Sequence, residues 1–432
     1  MLVKKTHATV RFLASNALSL LGNSVAGVAL PLILLATTGD ALAAGALALI
    51  RSVPQLVIGV AGGAILDRVN RRNVSIISDV ISALSVALLP IVDMIWGLNF
   101  WWFVALGLIG SIGDIPGMTA RDAMLPAVTK YDGVDMQRFI GFSQSLESMV
   151  TIAGPALAAM LISFVGGVES LWFTAAMSLS AAIVTCTIPR KVGKVPHSGH
   201  LSAHESAGLV KESLGALRRG LHVLFRSDGI LTASVSLSLG IVMILGSFQG
   251  LVLPVFFTEL GEPALLGFTL SAMSAGMLAG SLVYAALTHK IKRRTWYVAS
   301  FVGMGAGVAI IGLFPPYPIM LAGSVLLGFA AGPASALLGF FMLDRVPDAS
   351  RGSAFGTQNS ITMVAAPVAV FATSILVSGL GAANAALALI AGWIALTIVA
   401  LVIRPMRRLD AVASQEAAPA TASAKTAFDA QA

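Results

Sequence analysis

Charge is what this sequence has least of. Only 11% of its 432 residues are Asp, Glu, Lys or Arg, while 57% are hydrophobic. Soluble domains carry roughly a quarter charged residues, so the shortage excludes a water-soluble globular chain and implies an integral membrane protein. Cysteine is almost missing. Cys186 stands alone inside an apolar run, which rules out an intrachain disulfide and argues against redox chemistry. The histidines, His7, His197, His200, His204, His222 and His289, fall mostly in polar stretches and leave no nucleophile–base constellation for an enzyme. His197, His200 and His204 have a metal-like spacing but sit in a Gly/Ser-rich segment and read as solvated. A phosphate-binding Gly-Lys-Ser/Thr loop is also missing. The expectation is a non-enzyme with no cofactor, metal or nucleotide.

Apolar runs of about 20 residues fill most of the remaining length, each long enough to cross a bilayer. Twelve such spans are predicted. The basic start, MLVKKTHATVRFL, leads straight into the first without a small-residue cleavage site, so a retained first helix is expected rather than a signal peptide. Of the 27 Lys and Arg, all but Arg51 fall at alternate span ends, together with the central linker and the tail. The opposite ends carry Asp40, Asp93, Glu169, Glu259 and Glu262. By the positive-inside rule both termini and the central loop are cytoplasmic and the protein is a multi-pass plasma-membrane protein. The same layout explains the net charge of +7 without nucleic acid as a partner.

A change of composition divides the chain. Residues 1–188 form one six-helix bundle and 228–403 another. Between them, 189–227 is a polar, basic cytoplasmic linker. In it Val210, Leu214, Leu217, Leu221, Leu224 and Phe225 recur at the spacing of an amphipathic surface helix. The Ala/Ser/Thr-rich tail, 404–432, reads as disordered. The second half repeats the first. Asp67-Arg-Val-Asn-Arg-Arg72 aligns with His289-Lys-Ile-Lys-Arg-Arg294, and Gln144 with Gly154-Pro155 aligns with Gln358 and Ala366-Pro367. Matching halves are a transporter signature, with the substrate site near mid-membrane between them.

The organising stretch is Gly62–Arg72, between spans 2 and 3. Gly63 permits close helix approach, Asp67 is an acceptor, and Arg68, Arg71 and Arg72 hold the turn at the cytoplasmic surface. Gly63-x-Ile65-x-Asp67-Arg68-x-x-Arg71-Arg72 resembles the helix 2–3 signature of the major facilitator superfamily, with Asn70 where that signature has glycine. Gly141, Gly154 and Pro155 resemble the superfamily's antiporter signature on helix 5, although Val150 and Ala158-Ala159 replace glycines of that pattern. The helix 4 signature with its buried arginine is not recognised. Asp114 and Pro116 occupy its region, and Arg121 is placed nearer a polar loop running from Arg121 to Arg138. Arg51-x-x-Pro54, and Pro116 through Pro126, are similar to the macrolide-efflux and siderophore (enterobactin) exporter branch. The resemblance implies an all-α polytopic fold of twelve helices in two pseudo-symmetric bundles. It also implies proton-coupled export by alternating access, and a monomer. In the gate it implies, Asp67 meets the N-terminus of helix 11 near Gly352 and Ser353, where the positive end of the helix dipole gives the contact a physical basis.

Ionisable groups inside a span cost roughly 2.5–3.5 kcal/mol each, so those present are candidates for proton or charge coupling. Glu147 lies nine residues past Arg138, about 14 Å deep at 1.5 Å per residue, and Asp114 about 10 Å deep, counted from Arg121. One of these two is expected to exchange protons, and Arg51 in the outer half of helix 2 to tune or pair with one of them; Asp79 is placed shallower, toward the interface. Asn23, Gln144, Gln249, Gln358 and Asn359, with Asn16 and Ser247, are neutral polar groups that would line a cavity or bond between helices. Their apolar surroundings favour a bulky amphiphilic substrate such as a drug or siderophore. The alternatives are a metabolite or lysophospholipid importer or flippase of the same fold, a non-transporting membrane sensor, and a membrane-embedded enzyme.

Overall fold

The computed structural model describes residues 7–66, 69–193, 215, 217–226, 228–288, 290–346 and 351–403, and among them there is no strand. The helices are α1 (His7–Thr38), α2 (Ala41–Leu66), α3 (Arg71–Trp96), α4 (Phe100–Asp132), α5 (Met136–Val165) and α6 (Ser170–Cys186), then α7 (Gly229–Glu259), α8 (Ala264–Leu287), α9 (Arg293–Gly312) and α10 (Tyr317–Arg345). A last helical stretch, Arg351–Val402, breaks at Gly381, whose φ of 81° no helix tolerates, and so counts as α11 (351–380) and α12 (382–402). A short helix, 217–226, lies between α6 and α7.

Side-chain caps start several spans. Asn70 accepts from the Arg72 amide at 3.1 Å, Asp135 from Arg138 at 2.8 Å and Asp228 from Ile230 at 2.6 Å. Each satisfies a donor that the first helical turn leaves open. Asn70 therefore does not occupy its signature position by taking the positive φ of a glycine. Its φ is −66°, and capping is its role.

One boundary differs from the sequence expectation. α4 runs through Arg121 and Pro126 to Asp132 and closes on Gly133 in the left-handed conformation, so only Gly133–Asp135 separates it from α5. Arg121 thus lies within the α4 helix, a candidate span, and does not belong to a polar loop. Asp132 at the end of α4 accepts the Thr9 amide at 2.7 Å and so caps α1 from a neighbouring element.

The two sets of six helices meet most tightly toward the acidic ends of the spans. One apolar core joins α1 from Val25 to Leu35 with Leu251–Phe257 of α7. A Cβ on Gly267 (α8) would fall 2.1 Å from the Pro155 carbonyl on α5, and one on Gly45 (α2) would fall 3.1 Å from Phe371 Cα on α11. Backbones this close leave no passage. Toward the basic ends the halves part, and Gly141 on α5 and Gly356 on α11 stand clear, with nothing within 4 Å of a built Cβ.

The start of the linker docks on the helix 2–3 turn. The Arg71 amide donates to the Gly193 carbonyl at 2.9 Å, and Asn70 Nδ2 donates to the Arg190 carbonyl at 3.2 Å. Helix 217–226 buries Leu224 against Leu231, Val235, Met342 and Ala354, while Arg218, Arg219 and Arg226 are exposed. The rest of the expected amphipathic helix, and the tail beyond residue 403, lie outside the described residues.

Candidate substrate cavity and buried charge pairs

A cavity of about 790 Å³ lies between the halves, open toward the basic ends. α1, α4 and α5 contribute Asn16, Asn23, Asp122, Gln144 and Glu147, and α7 and α8 contribute Gln249 and Met273. Gln144 and Asp122 are exposed to this space and Glu147 is partly so. Asp122 escaped the sequence reading because it was placed in a loop. As a neighbour of Arg121 on α4 it faces Glu147 electrostatically across the cavity wall. Gln249 sits in a π-helical turn, Phe248–Val252, a local widening that recurs at functional sites. Its Nε2 lies 3.9 Å from the Met273 sulfur.

Behind this cavity, walled by the first half and by Met363 of α11, a second space of about 350 Å³ shares Asn23 and Met118 with it. It is lined by Arg51, Ser82 and Asp114 amid apolar side chains. Arg51 Nε donates to Ser111 Oγ at 3.3 Å, and its guanidinium is the principal favourable charge near Asp114, which also accepts from Ser82. Gly107 makes room for the arginine, since a Cβ there would sit 3.1 Å from Arg51 Cδ. Of the two acids considered for Arg51, Asp114 is the one that feels its charge, without a direct ion pair between them.

The strongest polar cluster joins residues that the sequence reading valued least. Arg121 on α4 forms a direct ion pair with Asp79 on α3. Ser19 on α1 bridges them, accepting from Arg121 Nη1 at 2.8 Å and donating to Asp79 Oδ1 at 3.1 Å. Asp79 is only 3% exposed and Arg121 6% exposed, so protein shields the pair from solvent. Arg121 lies eleven residues from the end of α4, about 16 Å along the axis. Asp114, counted from the same end, is deeper than the expected 10 Å. Shielded at the wall of the central cavity, which Ser19 and Arg121 help to line, a carboxylate and a guanidinium neutralise each other and need a third hydrogen-bonding group to complete their shells.

At the basic end, Arg71 Nη1 donates to the Ala123 carbonyl of α4 at 2.8 Å, and Arg72 donates to the Cys186 carbonyl at the end of α6. Both arginines tie the turn to its own half. Asp67 and Arg68 lie outside the described residues, as do the side chain of Ser353 and the surroundings of Gly63 and Gly352. Gly154 packs on α1, where a Cβ would meet Ser24 Oγ at 2.1 Å, and Pro155 presents its carbonyl to α8. Gln358 lines a separate cavity in the second half, Asn359 is exposed, and Ser247 is buried and lines none of these spaces. No group of three or more His, Cys, Asp or Glu suited to a metal occurs among the described residues.

Comparison with known proteins agrees with this architecture. Residues 12–247 and 235–430 match the family model described as Major Facilitator Superfamily. The chain is 29% identical over 394 residues to the multidrug efflux pump Tap of Mycolicibacterium fortuitum, covering 90% of this chain and 94% of that one. It is 25% identical over 401 residues to macrolide efflux protein A of Streptococcus pyogenes, covering 92% and 96%. Among solved structures, that of the nucleoside transporter NupG superposes with a TM-score of 0.69 at 14% identity, covering 92% of this chain and 99% of that one. Matched along nearly its whole length, and folded as twelve helices around a cavity between two halves, the chain belongs to the major facilitator superfamily.

Proposed function

We propose that this protein is a secondary active exporter of amphiphilic small molecules, drugs among them, driven by inward proton flow through alternating access. The observation that carries the reading is the 790 Å³ cavity, apolar for much of its wall, open at the basic ends and backed by tight helix contacts at the acidic ends. With basic loops cytoplasmic, this is the state that loads substrate from the cell interior. The names of the relatives, a multidrug and a macrolide efflux protein, point the same way.

Glu147 and Asp122 face the cavity and lack the direct cationic partner that Asp79 has, so they are the groups best able to trade a proton for a cationic substrate. Arg51–Asp114 and Arg121–Asp79 hold the first half together and set the field around them. Asp67 serves as the latch to α11 on the cytoplasmic side. Arg71 and Arg72, fixed to α4 and α6, give that latch a rigid mount. The protein acts as a monomer in the plasma membrane with both termini in the cytoplasm.

Everted membrane vesicles test this. On energisation they should accumulate a fluorescent cationic drug, and a protonophore should release it. Glu147→Gln should abolish the uptake. Uptake unaffected by the protonophore would remove proton coupling from the reading.

A further inference from the structure

The second half holds a cavity of about 360 Å³ walled by α7 through α11, and nothing in its wall is ionisable. Most of the lining is aliphatic or methionine. The exceptions are three hydroxyl side chains and Gln358. Gln358 Oε1 is buried and has no hydrogen-bond partner. A carbonyl oxygen left this way in an apolar wall is costly, and a bound donor relieves it. Gly339, also in the wall, leaves open space where a side chain would stand. The cavity adjoins the central one by a single helical turn on two elements. Leu245 precedes Gln249 on α7, and Met277 follows Met273 on α8.

We infer that this cavity is a second recognition pocket, taking a neutral, largely apolar part of the substrate that donates a hydrogen bond to Gln358. This rests on the exporter reading and deepens it. Its volume falls within the range of roughly 300–1,000 Å³ that small-molecule pockets occupy. A charged group is excluded because no counter-charge lines the pocket and the cost of burying one is high. Met277 and Met304 provide unbranched, polarizable walls that adjust to several shapes. The substrate is therefore bipartite. Its cationic group lies by Glu147 and Asp122 in the first half, and its hydroxyl- or amide-bearing apolar body reaches into the second.

Two probes separate these parts. Erythromycin carries an amine and several hydroxyls, whereas tetraphenylphosphonium is a cation with no donor hydrogen. In the full chain reconstituted in liposomes, Gly339→Phe fills the pocket and Gln358→Leu removes its acceptor. Each is expected to slow erythromycin export at least tenfold and tetraphenylphosphonium export less than twofold. Equal loss of both, or loss of neither, overturns the pocket. A second arm does not depend on transport. In a Cys186→Ser, Ser335→Cys protein, bound erythromycin should slow maleimide labelling at position 335 at least fivefold, and tetraphenylphosphonium should leave it unchanged. Unprotected labelling overturns the pocket even if both probes are exported. Protection in a protein that exports neither probe keeps the pocket and removes the exporter reading instead.

Discussion

Gly154 on α5 makes room for Ser24 of α1, and Ala366, its counterpart on α11 in the repeat, lies against Gly246 of α7, 3.1 Å from a Cβ built there. The same helix pair meets at the same point in each half, with the small residue exchanged between partners. In charge the halves part company. The first carries Asp79 and Arg121 buried, and Arg51 and Asp114 half-buried, within its spans. In the second, residues 229–258, 264–288, 295–343 and 352–403 contain no Asp, Glu, Lys or Arg at all. One duplicated scaffold thus supports two kinds of interior. Intramembrane charge is tolerated where it is paired and hydrogen-bonded. In the function proposed above, its confinement to one half would separate proton handling from the shape-based recognition that an uncharged wall provides.

The largest effect should come from breaking the ion pair that defines the charged half. Arg121→Met leaves Asp79 buried without its counter-charge and should cost about 3–5 kcal/mol in a denaturant titration of the purified protein. Pairing it with Asp79→Asn should recover most of that loss. If the double variant were no more stable than the single one, the pair would not be the unit described.

The converse change places charge in the neutral half. Leu337 on α10 is 1% exposed and packs with Phe301 and Phe341. Leu337→Asp should lower stability by roughly 2.5–3.5 kcal/mol or more, visible as reduced membrane insertion, because it puts a carboxylate into an aliphatic and aromatic core. A tolerated aspartate would mean that the second half is less strictly apolar than its sequence suggests.

The smallest contrast concerns the matching turns. Asn70 caps α3 by its side chain, whereas Lys292, at the same place before α9, makes no side-chain cap. Asn70→Ala should cost about 1 kcal/mol and Lys292→Ala close to nothing in the same titration. Equal effects would show that the Asn70 cap adds nothing to α3.

Much of the fold was legible because hydropathy alone marks the spans and the arginine and lysine positions order their ends. The candidate site was legible only in part. Glu147, Gln144, Asn23 and Gln249 reach the central cavity because each interrupts an apolar helix on its inward face. Arg121 was missed because Arg121-Asp122 looks like the start of a polar loop. The better signals were Asp132-Gly133 as a helix end and Asp135 as the next cap, which would have moved the boundary by twelve residues. Asp79 was undervalued for a different reason. Its depth along α3 is visible in the sequence, but the partner that buries it comes from another helix. The cavity of the second half had no signal beyond Gln358, since its walls are ordinary aliphatic residues whose convergence depends on packing.

The division of labour between the halves is tested most directly by substrate-driven proton movement in liposomes carrying an internal pH dye. Wild type and Gln249→Leu should both move protons when saturating erythromycin is supplied, with only the concentration needed for half effect raised in the variant. Glu147→Gln should move none. Proton movement that survives in Glu147→Gln and vanishes in Gln249→Leu would contradict the account.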